Sequence, residues 1–259
     1  MNTLLIKLLI MPPVIAAVTL ASKKWGNSIG GILASLPWVA GPILLFIAFE
    51  QGTGFAIKSI SGIMVGIVGW LVFCIVYITV GQKFNALVSV LIGYLAYFSV
   101  GLALNPLLPS FNVYQWLMFS ISALTIGFMF FPKVDDQEIK VGKTLKFEIP
   151  MRMLMITFFV ITITFFAKSL GPNWSGILTP FPVMTAVLAI FTHYTQGIYQ
   201  VRKIYMGLFT GTFGFTIFLF SQALLLPVYS VAISFLIGIV LDLIITLIMK
   251  AVFSKFNLL

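Results

Sequence analysis

Runs of about 20 mainly apolar residues recur along this chain, separated only by short turn or charge signals. A run of that length in lipid closes into a helix, because only a helix satisfies its own backbone away from water. Nine such runs can be counted, approximately over residues 4–21, 28–50, 55–80, 84–106, 113–131, 150–168, 174–196, 204–226 and 229–251. Of the 259 residues, 61% are apolar and 8% charged, against roughly 45–50% and 25% in soluble domains. A soluble core of this size cannot hide that much apolar surface, so the expected fold is an all-α membrane protein with the lipid bilayer as its first partner. Soluble enzymes, disordered chains and disulfide scaffolds are set aside.

The charges supply orientation. The longest polar interruption, Pro132 to Glu148, carries eight of the 21 charged residues in 17 positions and reads as one solvated loop. Alternating the connections between two faces puts Lys23, Lys24, Lys83, Lys133, Lys140, Lys143, Lys146, Arg152, Arg202, Lys203, Lys250 and Lys255 on one side. Lys7, Lys58 and Lys168 fall on the other. Twelve against three is the bias expected of a cytoplasmic face, which places the N-terminus outside, the C-terminus inside and the chain in a bacterial inner membrane. Re-entrant second and seventh segments would divide the same residues about eight to seven and lose that bias. The first run has the length of a signal-peptide core, but it lacks a basic leader and has an internal counterpart, so it is read as a true span. The +9 net charge is scattered between spans, which speaks against nucleic acid. Cys74 is the only cysteine and His193 the only histidine, so no metal and no cofactor is expected.

The internal counterpart belongs to a repeat. Displacing the chain by 145 positions superposes Gly31-Ile32-Leu33, Pro37, Phe46, Gln51-Gly52, Lys58, Gly62, Gly66, Gly69 and Phe73 on residues of the same type from Gly176 to Phe218. That is 12 identities in 43 ungapped positions. The match continues at Ser89 and Leu91-Ile92-Gly93 over Ser234 and Leu236-Ile237-Gly238. Each copy holds four spans, and the fifth span has no counterpart. Five spans precede the second copy, so the two copies are expected to enter the bilayer from opposite faces, a construction recurrent in secondary transporters. The organisation read from this is repeat one over 1–106, a linker helix and charged loop over 107–149, and repeat two over 150–259.

Spans two and seven carry proline at membrane depth: Pro37 and Pro42 in one, Pro180 and Pro182 in the other. Proline removes a backbone donor and clashes one turn back, so both helices should kink or break. Freed backbone groups at that depth are tolerated only against protein or a wet cavity. Facing breaks would then form a substrate pathway from Ser35, Pro37, Trp38, Pro42, Thr179, Pro180, Pro182 and Thr185; simple bending for packing is the other reading. The glycine series Gly62, Gly66, Gly69 and its copy Gly207, Gly211, Gly214 is expected to allow close helix approach.

Four of the six acids lie in the charged loop, leaving Glu50 and Asp242 in or at the edge of apolar spans. An ionisable group there is costly and is read as functional or paired. Asp242 is the first coupling candidate for a proton or cation, or else pairs with Lys250, Ser221 or Gln222 for packing. Glu50 and His193 are further coupling candidates; a histidine among Tyr194, Thr195 and Gln196 can equally be a hydrogen-bonded anchor. Lys58 and Lys203 suit snorkelling, and Trp25, Trp38, Trp116 and Trp174 suit an interfacial belt. No phosphate loop, HExxH or GxSxG occurs, and no second acid at similar depth completes a catalytic set, so the chain is not expected to be an enzyme.

The stretch Trp174-Ser175-Gly176-Ile177-Leu178-Thr179-Pro180-Phe181-Pro182, with His193-Tyr194, Gly197, Arg202 and Gly207, resembles the GlpM family of small bacterial inner-membrane proteins. The likeness covers residues 150–251, and the first repeat only through its glycines, Pro37 and Gln51-Gly52; Ala48 stands where the histidine would be, and Pro180 has no counterpart. It implies a fused antiparallel pair of such units and a link to envelope polysaccharide production, with no biochemical activity to carry over. The expectation is a secondary transporter of a small polar or anionic solute, proton-coupled, with its site between spans two and seven; a homodimer is compatible with it. A non-transporting scaffold or accessory subunit is the alternative.

Overall fold

The computed structural model describes residues 3–25, 36–135 and 147–255. Over these the protein is all-helical, and five helices are long and apolar enough to cross a membrane. In chain order the helices are α1 (Thr3–Trp25), α2 (Ala40–Glu50), α3 (Thr53–Gly81), α4 (Ala86–Leu104), α5 (Val113–Met129), α6 (Glu148–Leu178), α7 (Val183–Gln196), α8 (Ile198–Leu225) and α9 (Val231–Lys255). A 3-10 turn, Asn105–Ser110, joins α4 to α5. Its two prolines withhold the donors that a continuing α-helix needs.

Local chemistry sets several boundaries. Asn85 caps α4 by accepting from the Val88 N–H at 3.0 Å. Asn112 and Gln115 form a reciprocal capping box at the start of α5. Three joints are instead made by glycine in the left-handed region. Gly52 (φ 89°, ψ 159°) separates α2 from α3, and Gly197 (φ 92°, ψ 170°) separates α7 from α8. Gly171 (φ 71°, ψ 170°) divides α6 into a long first arm and a short second arm ending at Leu178.

Boundaries recur at a displacement of 145. Gly52 and Gly197 stand at that spacing, as do the starts of α3 and α8 and of α4 and α9. The first arm of α6, from Glu148 to the joint at Gly171, stands at the same displacement from Thr3–Trp25. Packing follows the same pattern. α3 lies against α4 and α8 against α9; α3 and α8 touch each other, α1 touches α6, and α5 crosses both central helices. The apolar windows of α3 and α8 are each 72% buried, against 28% for α4 and α9. The first two therefore form the centre, and the outer pair offers its apolar side to lipid.

The short second arm of α6 reaches α3 because two glycines meet. A Cβ on Gly62 would stand 3.1 Å from Gly176 Cα and 3.2 Å from Ile177 N; one on Gly176 would stand 2.9 Å from Gly62 Cα. These neighbours are backbone, which cannot swing aside. Gly176→Ala should therefore lower the thermal unfolding midpoint in detergent, at the ~1–3 kcal/mol typical of overpacking. Gly54→Ala, with nothing within 4 Å of its Cβ position, should leave the midpoint unchanged. Equal midpoints for the two variants would contradict this contact.

Candidate functional site

The second arm of α6 stops at Leu178, and Thr179-Pro180-Phe181-Pro182 links it to α7 through tight turns, with Phe181 N–H donating to Leu178 O at 3.0 Å and Val183 N–H to Phe181 O at 2.7 Å. Pro180 and Pro182 carry no N–H, so the ladder cannot pass through them. The Thr179 hydroxyl donates back to Ser175 O at 2.7 Å and closes the arm. Across the protein, residues 36–39 lead into α2, where Gly41 N donates to Pro37 O at 2.9 Å. Two helices of 11 and 14 residues thus begin inside the protein, ending at Gly52 and Gly197.

Between these starts lies a cavity of about 90 Å³, lined by Pro37, Thr179, Pro180 and Thr185 among others. Five pairs of lining residues stand 145 apart: Leu36 and Phe181, Val39 and Met184, Ala40 and Thr185, Ile67 and Thr212, Trp70 and Phe215. Its chemistry is not symmetrical. Thr185 and Thr212 bring hydroxyls where the first half has Ala40 and Ile67, and Trp70 Nε1 donates to Thr185 Oγ1 at 3.0 Å. The result is a small chamber with one hydroxyl-bearing wall, one apolar wall and no charged residue among the described residues of its lining.

Four of the expected pathway residues, Pro37, Thr179, Pro180 and Thr185, line this chamber. Pro182 is buried at the N-cap of α7. Trp38 and Pro42 line a separate, more apolar cavity of about 310 Å³ that Pro37 also borders and that holds Asp242. Ser35 lies outside the described residues, as do the glycines ahead of it and most of the charged loop, residues 136–146. Trp38 therefore flanks the break and not a membrane edge. Trp116 is 1% exposed, so it is a packing residue and not a lipid-facing belt.

The three coupling candidates have different surroundings. Asp242 is fully buried in α9; Thr246 Oγ1 approaches its Oδ1 at 3.4 Å, and its Oδ2 has no partner among the described residues. Its neighbour is thus one turn along its own helix, in place of Lys250, Ser221 or Gln222. Glu50, at the end of α2, accepts from Lys7 Nζ at 2.6 Å. The same ammonium donates to Thr164 Oγ1 at 2.7 Å and lies 5.0 Å from the Phe46 ring centroid. Glu50 is therefore one member of an ion pair joining α1, α2 and α6. His193 is half-buried, with Nδ1 3.3 Å from the Tyr77 hydroxyl and the two rings edge to face.

Trp70, Thr212 and Lys7 went unremarked as site residues in the sequence. The displacement of 145 could have found the first two, since they lie on the same glycine-marked helices as Gly66, Gly69 and Gly211. Lys7 could have been flagged as an ammonium inside an apolar run with an acid closing the next span. Among the described residues no group of three His, Cys, Asp or Glu could hold a metal ion. Comparison with family models, with curated proteins and with solved structures finds no match to this chain.

Proposed function

We propose that this chain is a proton-coupled secondary transporter of a small polar or anionic solute in a bacterial inner membrane. In this reading its helices make nine spans, arranged as two inverted four-helix repeats about α5, with the N-terminus outside. The observation that carries the reading is the chamber of about 90 Å³ where α2 begins and where α6 gives way to α7, with five lining pairs 145 residues apart. Interrupted helices at a repeat interface are where transporters of this construction bind solute. The N-terminal ends of α2 and α7 both reach the chamber, and aligned peptide dipoles there favour a negative or strongly polar group. Asp242 is the group that exchanges a proton, because a lone carboxylate in an apolar wall needs a cation to neutralise it. The GlpM-like resemblance supports the fused-pair architecture and adds nothing on the solute.

Alternating access tests the reading without knowing the solute. In a Cys74→Ala background, Thr212→Cys in sealed vesicles is expected to react with a membrane-impermeant thiol reagent from one face only. An imposed proton gradient should change that rate at least tenfold. A cysteine that stays unreactive from both faces under every gradient favours a packed scaffold, such as an accessory subunit in polysaccharide production, and removes the transporter.

A further inference from the structure

The packing of α8 on α9 leaves polar atoms unsatisfied where the related pair α3 and α4 does not. Among the described residues seven buried side-chain oxygen or nitrogen atoms have no hydrogen-bond partner, and three of them lie in this one seam: Gln222 Oε1, Ser234 Oγ and Asp242 Oδ2. All three residues are 0% exposed. Ser234 and Asp242 fall in a row on α9 with Gly238 and Thr246, at four-residue steps that share one helix face over about 18 Å, and Gln222 meets that row from α8. Two glycines make room for the polar groups. The Gln222 amide occupies the space a Cβ on Gly238 would need, with Ser221 Oγ 3.0 Å from that point. Gly214 in the same way seats Asp242 Oδ1 and Thr246 Oγ1. Gln222 Nε2 donates to Ser234 O at 3.0 Å, which ties the row to the turn between α8 and α9.

The repeat-related seam is built on the same backbone pattern with opposite chemistry. Ser89 Oγ donates to Asn85 O at 2.9 Å, the Phe73 ring covers Gly93, and the Tyr97 hydroxyl donates to Ile177 O. The scaffold therefore accepts a satisfied, aromatic filling at these positions. An unmade buried hydrogen bond costs roughly 1–3 kcal/mol, so three in one seam are a standing cost that packing alone does not require. Facing Asp242 are Gly214 and Phe218 of α8, Val14 of α1, and Pro37, Trp38 and Gly41 at the start of α2. None of these side chains titrates.

We infer that the α8–α9 seam is the path by which protons reach Asp242 from the face where α8 turns into α9. Gln222 and Ser234 position the first water of a file that relays the proton about 12 Å along the row to Asp242, and one proton taken up at that face neutralises one Asp242 carboxylate. The inference rests on the reading of Asp242 as the proton-exchanging group, but its test needs no solute. The full-length protein is reconstituted in phosphatidylcholine vesicles with known orientation, pH is jumped on one side, and the carbonyl stretch of protonated Asp242 is followed by time-resolved infrared difference spectroscopy. The wild type should respond faster to jumps at the α8–α9 turn, and Asp242→Asn should abolish the band. Gln222→Leu should slow that response at least tenfold, with the response to jumps at the opposite face unchanged. Ser234→Ala, a smaller change that keeps the fold, should slow it severalfold, and Ser89→Ala should leave it alone. Wild-type rates in both seam variants overturn the path. A missing wild-type band overturns the role of Asp242 itself, whereas a normal seam response beside a gradient-insensitive chamber sinks the transporter reading alone.

Discussion

Asp242→Asn is expected to abolish the response of the chamber to a proton gradient while leaving the protein folded. In the Thr212→Cys labelling experiment the gradient-driven change in rate should fall from tenfold or more to within a factor of two. The reason is local. Asparagine keeps the shape of the side chain and can still accept from Thr246 Oγ1, now 3.4 Å from Asp242 Oδ1, but it cannot gain or lose a proton. Because the carboxyl is fully buried with an unpartnered oxygen, the neutral amide costs no more to bury than the acid. The thermal midpoint should therefore hold or rise. A residue whose removal stabilises the fold and destroys a response is retained for function. A variant that keeps the wild-type response removes Asp242 from the mechanism, and one that unfolds makes it a structural residue.

Lys7→Met should give the largest loss of stability among single substitutions of charged residues. It removes the ammonium from between Glu50 and Thr164 and leaves a carboxylate whose side chain is only 18% exposed. Breaking a buried pair from one side costs about 3–5 kcal/mol, and an exposed pair about 0–1. The partial exposure of Glu50 puts the expected loss between these ranges. The double variant Lys7→Met, Glu50→Gln should recover most of it, because no charge is then left without a partner. Thermal unfolding of the two singles and the double in one detergent measures the coupling. Additive losses would mean that the pair contributes nothing beyond its separate packing.

Several features were legible in the sequence because they are periodic or local. Apolar length located the long helices, proline placed the break before α7, and the displacement of 145 drew attention to Gly52 and Gly197 before their backbone angles were known. The Gly62, Gly66, Gly69 series announced close approach. Its partner was hidden, since Gly176 reaches Gly62 only after the chain turns at Gly171. That joint falls in the gap between the apolar runs 150–168 and 174–196, where Lys168 and Gly171-Pro172 interrupt the pattern, but nothing in the sequence told that the second arm would pack on α3. Trp38 was misplaced for a related reason. Aromatic residues near the end of a span suggest a headgroup region, but Pro37 puts the end of that segment inside the protein. The Lys7–Glu50 pair joins different helices 43 residues apart, and no periodicity encodes such a meeting. The neighbour of Asp242 was missed because the rotamer turned toward Thr246, a choice that depends on the notch at Gly214.

The two short helical pieces bear on how the protein is made. α2, with 11 residues, spans about 16 Å, and the second arm of α6 about 10 Å; neither crosses ~30 Å of hydrocarbon alone. A piece that short has exposed peptide ends and cannot partition into lipid unaided. The other four long helices and the first arm of α6 can be handed to the bilayer as they leave the ribosome, whereas α2 and the second arm of α6 are expected to wait for walls to fold against. Biogenesis is therefore ordered by length, with the central chamber assembled last.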